Sequence, residues 1–116
     1  MAINPNTAST LIWQAEDVNS TVQDVFSTPY HVQKIILNNN DAAVRYAQFF
    51  NVASTAVTLG TTVGVWFKVP ASGTLILEQD SGVFYNGEYL SVAATTTATG
   101  NTNVTNNMQG TVLYAK

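Results

Sequence analysis

Residues 63–80 read VGVWFKVPASGTLILEQD. Val63, Val65, Phe67 and Val69 alternate with Gly64, Trp66 and Lys68, a period of two that belongs to a strand and not to a helix. The Pro70-Ala71-Ser72-Gly73 break follows. Proline presets φ for an early turn position, and Gly73 is free to take φ > 0 where the chain re-enters a strand. Leu75 and Leu77 then resume one apolar face, with Glu78 and Asp80 at the far end. The stretch predicts a β-hairpin in which Val65, Phe67, Leu75 and Leu77 fill a core. Whether Trp66, on the opposite face beside Lys68, points outward decides if the hairpin is also a contact surface.

The same period recurs on both sides. Leu11-Ile12-Trp13, residues 21–26, 30–37 and 44–53 read as strands, broken by Glu16–Ser20, by Ser27-Thr28-Pro29 and by the strong turn signal Asn38-Asn39-Asn40-Asp41. After residue 80, Val83-Phe84-Tyr85 is a short strand, Asn86-Gly87 a favoured tight-turn dipeptide, residues 88–94 a strand and TVLYA at 111–115 a closing strand. About eight short strands, turn signals every 8–12 residues and no helical period predict an all-β fold. Two packed antiparallel sheets bury such strands best, so the expectation is a two-sheet antiparallel β-sandwich of jelly-roll type, with an immunoglobulin-like sandwich or a small barrel as alternatives. Residues 1–10 read as an extended N-terminal arm and 11–116 as one domain. Its low-complexity segment 95–110, TTTATGNTNVTNNMQG, reads as a long polar surface loop.

Bulk composition limits function. The 116 residues suffice for one core, 46% of them are hydrophobic, and only 9% are charged, against roughly 25% in ordinary soluble domains. Thr, Asn, Ser and Gln supply the polarity. A surface so poor in charge is expected to be partly covered by other subunits. A net charge of −3 with four scattered basic residues leaves no basic stripe for nucleic acid and no polybasic segment for a membrane. No apolar run approaches a membrane span, and the first residues lack the pattern of a secretory signal. The absence of cysteine removes disulfides and thiolate chemistry.

Catalytic groups are sparse. His31 is the single histidine and sits in an apolar run. No nucleophile motif flanks a serine. Glu78 and Asp80, two apart, would share a strand face at roughly 7 Å, a spacing that suits a pair of glycosidase carboxylates, yet they end a strand and not a cleft. The oxygen-rich turns at 38–41 and 80–82 lack the spacing of a calcium loop. Asn19-Ser20-Thr21 and Asn103-Val104-Thr105 match the glycosylation pattern as a Thr/Asn-rich chain does by chance. The expectation is a non-enzymatic protein with no catalytic residues, no metal and no cofactor.

Three motifs go further. Gly60-Thr61-Thr62-Val63-Gly64-Val65-Trp66, then Val69-Pro70-Ala71-Ser72-Gly73, then Gly87-Glu88-Tyr89-Leu90-Ser91-Val92-Ala93-Ala94-Thr95-Thr96-Thr97 stand in an order that resembles small structural proteins of tailed bacteriophages. The likeness covers residues 35–116. It implies a β-sandwich virion component. The first form is a capsid decoration (cement) protein on the capsid exterior, made in the host cytoplasm, which bridges major capsid subunits as a homotrimer. The alternative is a tail- or fibre-associated module that binds a receptor or surface carbohydrate. Candidate subunit or capsid contacts are Ile3, Asn4 and Pro5 in the arm, the aromatic residues Trp13, Phe49 and Trp66, and Asn103 and Met108 in the polar segment.

Overall fold

A computed structural model describes residues 10–28, 30–78, 86–87 and 89–115. The arm, with Ile3, Asn4 and Pro5, lies outside the described residues except for Thr10, as do Phe84, Tyr85 and Asp80. Among the described residues nine strands follow in order: β1 Leu11–Val18, β2 Gln23–Phe26, β3 Tyr30–Asn38, β4 Arg45–Phe50, β5 Val65–Val69, β6 Thr74–Glu78, the two-residue β7 Asn86–Gly87, β8 Leu90–Thr95 and β9 Met108–Ala115. One 3₁₀ turn, Ser54–Ala56, interrupts the β4–β5 connection. The chain is an all-β sandwich of two antiparallel sheets.

The first sheet runs β1-β9-β3-β6, with β7 appended to β3, and the second runs β2-β8-β4-β5. The pairings are nested: β1 with β9, β2 with β8, β3 with β6 and β4 with β5. One long antiparallel ribbon, folded at the β4–β5 connection and then wound on itself, generates this order.

This winding corrects the reading of residues 63–80. β5 and β6 do not pair with each other; they are the edge strands of opposite sheets, and residues 70–73 carry the chain from one layer to the other. The turn is closed by Gly73 N–H donating to the Pro70 carbonyl at 3.1 Å. Ser72, and not Gly73, takes the left-handed conformation, with φ 49. Gly73 is required for space, because a Cβ there would lie 2.8 Å from Pro70 Cγ. Val65 also departs from expectation. It is 53% exposed, since among the described residues β5 has no neighbour on its outer edge, and the inward row deepens from Val65 through Phe67 to the fully buried Val69.

The core lies between the sheets. Val18, Val32, Ile35, Leu37, Met108 and Val112 face Val25, Phe26, Ala47, Phe49, Val69, Leu90, Val92 and Ala94. Val32 and Ile35 share a face despite their odd spacing because β3 is bulged between Val32 and Lys34; one extra residue restores the alternation. Phe49 and Phe67 meet edge-to-face at 5.8 Å, and Phe26 and Tyr114 at 5.1 Å tie one sheet to the other.

Three local expectations shift. β1 continues through the expected turn at 16–20 as far as Val18, with a register irregularity between Ala15 and Val18. Asn86-Gly87 is not a tight turn but the strand that pairs with Tyr30 and His31. The polar segment expected at 95–110 is shorter, because Thr95 closes β8 and 108–110 open β9. It also contributes core: Val104 and Met108 are buried.

The outer face of the second sheet is covered. All six residues of β8 are buried. Gln48 Nε2 donates to Thr95 Oγ1 at 2.6 Å and to the Gly100 carbonyl at 3.0 Å, while Ser91 Oγ donates to the Val52 carbonyl at 2.9 Å. Segments 51–64 and 96–102 therefore roof β8 and β4, which explains the small residues Ser91, Ala93 and Thr95 on that face.

Candidate functional site

Ionic groups are used sparingly, and one of them ties the fold together. Asp41, whose side chain is 2% exposed, forms an i,i+4 ion pair with Arg45, Nε to Oδ2 at 2.6 Å. The Thr105 amide donates to Oδ2 at 2.9 Å, and Asn106 donates its amide at 2.6 Å and its Nδ2 at 2.9 Å to Oδ1. Burial alone raises the pKa of this carboxyl, but the Arg45 guanidinium and the Thr105 and Asn106 donors outweigh it and hold Asp41 below its ordinary value. The Asp41 carbonyl accepts from Ser72 N at 2.8 Å. Asn39 caps the same turn, with Oδ1 accepting the Asp41 amide and Nδ2 donating to the Ala43, Val69 and Pro70 carbonyls.

The turn at 38–41 thus joins the inter-sheet crossing at 70–73 to the 103–107 segment. Both Asp41 oxygens are occupied by donors, which makes this oxygen-rich turn a clamp and not an open cation cradle. Asn40 Nδ2 donates to the Asn107 carbonyl at 2.8 Å, Asn19 Nδ2 to Asn107 Oδ1 at 3.1 Å, and Ser20 N to Asn103 Oδ1 at 2.9 Å. Both asparagines of the glycosylation-like triplets are engaged in these bonds.

The proposed contact residues divide accordingly. Phe49 and Met108 are core residues, 4% and 1% exposed, and cannot contact another molecule; the alternation that made Phe49 look available places it inward on β4. Trp13 is half-buried against the core and lies over Gly110, whose Cβ position would be 3.2 Å from Trp13 Cζ3. Asn103 is exposed but pairs with Thr95 in an isolated bridge as well as accepting from Ser20. Trp66 is open, 48% exposed on the outer side of β5, and meets Tyr46 edge-to-face at 5.6 Å.

A second open surface escaped the sequence reading. On the outer face of the first sheet Ile12 pairs with Leu113 and Ile36 with Ile76, in adjacent rows. Ile12 is 62% and Ile76 52% exposed, and Leu113 and Ile36 are half-buried. The four form a diagonal aliphatic band across the four strands, with Lys34 and Glu78 completing the row of Ile12 and Leu113, and Gln14 and Thr111 the row of Ile36 and Ile76. The signal was present as apolar residues on both faces of LIW at 11–13 and LIL at 75–77. Beside the band lies a groove of about 320 Å³ lined by Gln14, Ala15, Glu16, Asn38, Gln109, Gly110 and Thr111.

Among the described residues no three His, Asp or Glu side chains converge as a metal site. His31 is exposed. Glu78 is bound to Lys34 across β3 and β6 at 3.7 Å. No protein-family model matches the chain, and no curated protein matches it.

Proposed function

We propose that this chain is a virion structural protein of the decoration type, which docks on the exterior of a phage head and bridges major capsid subunits as a homotrimer. The observation that carries the reading is the open aliphatic surface of Ile12, Leu113, Ile36 and Ile76 on the outer face of the first sheet, beside the Lys34–Glu78 ion pair. Aliphatic surface of this kind is stabilised by being covered. The resemblance of residues 35–116 to phage structural proteins supports the same reading. The nested strand order supports assigning the sandwich to the jelly-roll type, an architecture at home in capsids.

Mass spectrometry of particles purified from cells that carry the gene tests this function. Hundreds of copies per particle are expected. A handful would move the protein to the tail, and its absence from particles would end the proposal.

One observation favours a second reading, a tail- or fibre-associated module that binds a surface glycan: the exposed Trp66 against Tyr46 on the outer side of β5. Retention of the purified protein on a glycan array tests it.

A further inference from the structure

We infer that the outer side of β5 is a binding site for an acidic sugar, with Trp66 as the stacking platform, Lys68 as the acid-group partner and Tyr46 as a hydroxyl contact. The inference rests on the glycan-binding reading above and names the class of glycan. Trp66 and Lys68 are two apart on β5 and so project to one side, and Lys68 stands directly opposite Tyr46 in the β4–β5 ladder. The three side chains form one cluster.

Their polar tips are all donors or, in the phenol, donor and acceptor. Trp66 Nε1, Tyr46 Oη and Lys68 Nζ have no hydrogen-bond partner among the described residues. Arg45 is committed to Asp41 and Lys34 to Glu78, which leaves Lys68 as the uncommitted cation of the described chain. Among the described residues of the strands on this face, the carboxylate is that of Asp24, on β2 at the opposite edge, three strand spacings across and four residues along the ladder from Lys68, roughly 20 Å away, and it accepts from Ser54 N and Oγ.

The surroundings suit a saccharide. Gln48, the ladder partner of Trp66, holds the Gly100 carbonyl, so the exposed turn with Thr97, Thr99 and Asn101 stands beside the platform. A Cβ at Gly60 would lie 3.9 Å from Asn101 Nδ2, which brings the Thr-rich 58–62 turn alongside. A pyranose presents an apolar C–H face to an indole, and its carboxylate fits the ammonium of Lys68. The protein's net negative charge disfavours a polyanion such as nucleic acid at the same place.

The test uses the purified full chain on an array of uronate- and sialate-bearing oligosaccharides with their neutral counterparts, followed by calorimetric titration with the best acidic and matched neutral pair. The acidic member is expected to bind at least tenfold tighter, with the difference shrinking as salt rises. Trp66→Ala should weaken both by at least tenfold, and Lys68→Gln should bring the acidic member down to the neutral one. Both side chains are exposed, so thermal melts of the variants should match the parent. Equal binding of the neutral counterpart overturns the acidic-sugar assignment while leaving glycan binding in place. No retention of any glycan overturns both. Tighter binding of a mononucleotide than of the acidic sugar also overturns it.

Discussion

Arg45 Nε lies 2.6 Å from Asp41 Oδ2, and this buried pair joins three separate stretches of chain. Asp41 also receives Thr105 and Asn106, while its carbonyl receives Ser72. Removing the carboxylate leaves Arg45 and the donors of 105–106 without their acceptor. Breaking one partner of a buried ion pair costs about 3–5 kcal/mol, so Asp41→Ala should lower unfolding stability by about 3 kcal/mol in a denaturant titration. Hydrogen exchange at the Thr105 and Asn106 amides should accelerate in the same variant.

The pair also predicts an acid limit. Asp41 is held below its ordinary value in the folded chain, which is about 3.9 when unfolded. Between the folded and unfolded values the unfolded chain binds more protons, so stability rises with pH there. The contribution is fully present above about pH 4 and is lost as pH falls through the lower, folded value. Asp41→Asn has no such proton to take up. The stability difference between parent and Asp41→Asn should therefore be constant above about pH 4 and narrow below it, read from unfolding curves at a series of pH values.

Most of the fold was legible because period-two alternation survives locally in Val65–Val69, Leu75–Leu77 and Thr111–Ala115. Sheet membership was not legible in the same way. A four-residue Pro-Ala-Ser-Gly break suits a hairpin and a crossing between layers equally well, and only the distant partners of each strand decide. Arg45–Val69 and Leu37–Leu75 are such partners. Low complexity misled at 95–110, where the side chains of Asn103, Asn106 and Asn107 and the Thr105 amide bond to 19–20 and Asp41 and hold Val104 and Met108 in the core. The contact residues were the least legible, since a single aromatic in a strand reads identically whether it faces in, like Phe49, or out, like Trp66. Asp41 and Arg45 carried the spacing of a pair, but the donors of 105–106 that bury them are 64 residues away.

Gly64 tests the covering of the second sheet. A Cβ at this position would lie 2.5 Å from the Phe49 carbonyl oxygen and 2.6 Å from Phe50 Cδ1. The first neighbour is backbone of a central strand and cannot step aside. Gly64→Ala should cost about 1–3 kcal/mol, the usual effect of overpacking, and should expose Phe50 as the 51–64 segment lifts. Gly60→Ala provides the contrast: a Cβ there meets Asn101 in ordinary contact at 3.9 Å, and only its φ of 87 opposes a side chain, at about 1 kcal/mol. A thermal or denaturant series with both variants should rank Gly64→Ala as the more damaging.

The aliphatic band gives the proposed docking its most direct check. Ile76 is half open and pairs with Ile36 on the outer face, away from the core. Ile76→Glu therefore removes little buried area and should change unfolding stability by less than about 1 kcal/mol, the range for surface substitutions. On a particle, the same change would bury an unpaired carboxylate against the capsid, which costs several kcal/mol. Purified Ile76→Glu should fail to sediment with undecorated particles at concentrations that saturate the parent protein. Ile12→Glu, at the other end of the band, should fail likewise. If both variants still decorate particles at parental affinity, the outer face of β1-β9-β3-β6 is not the docking surface.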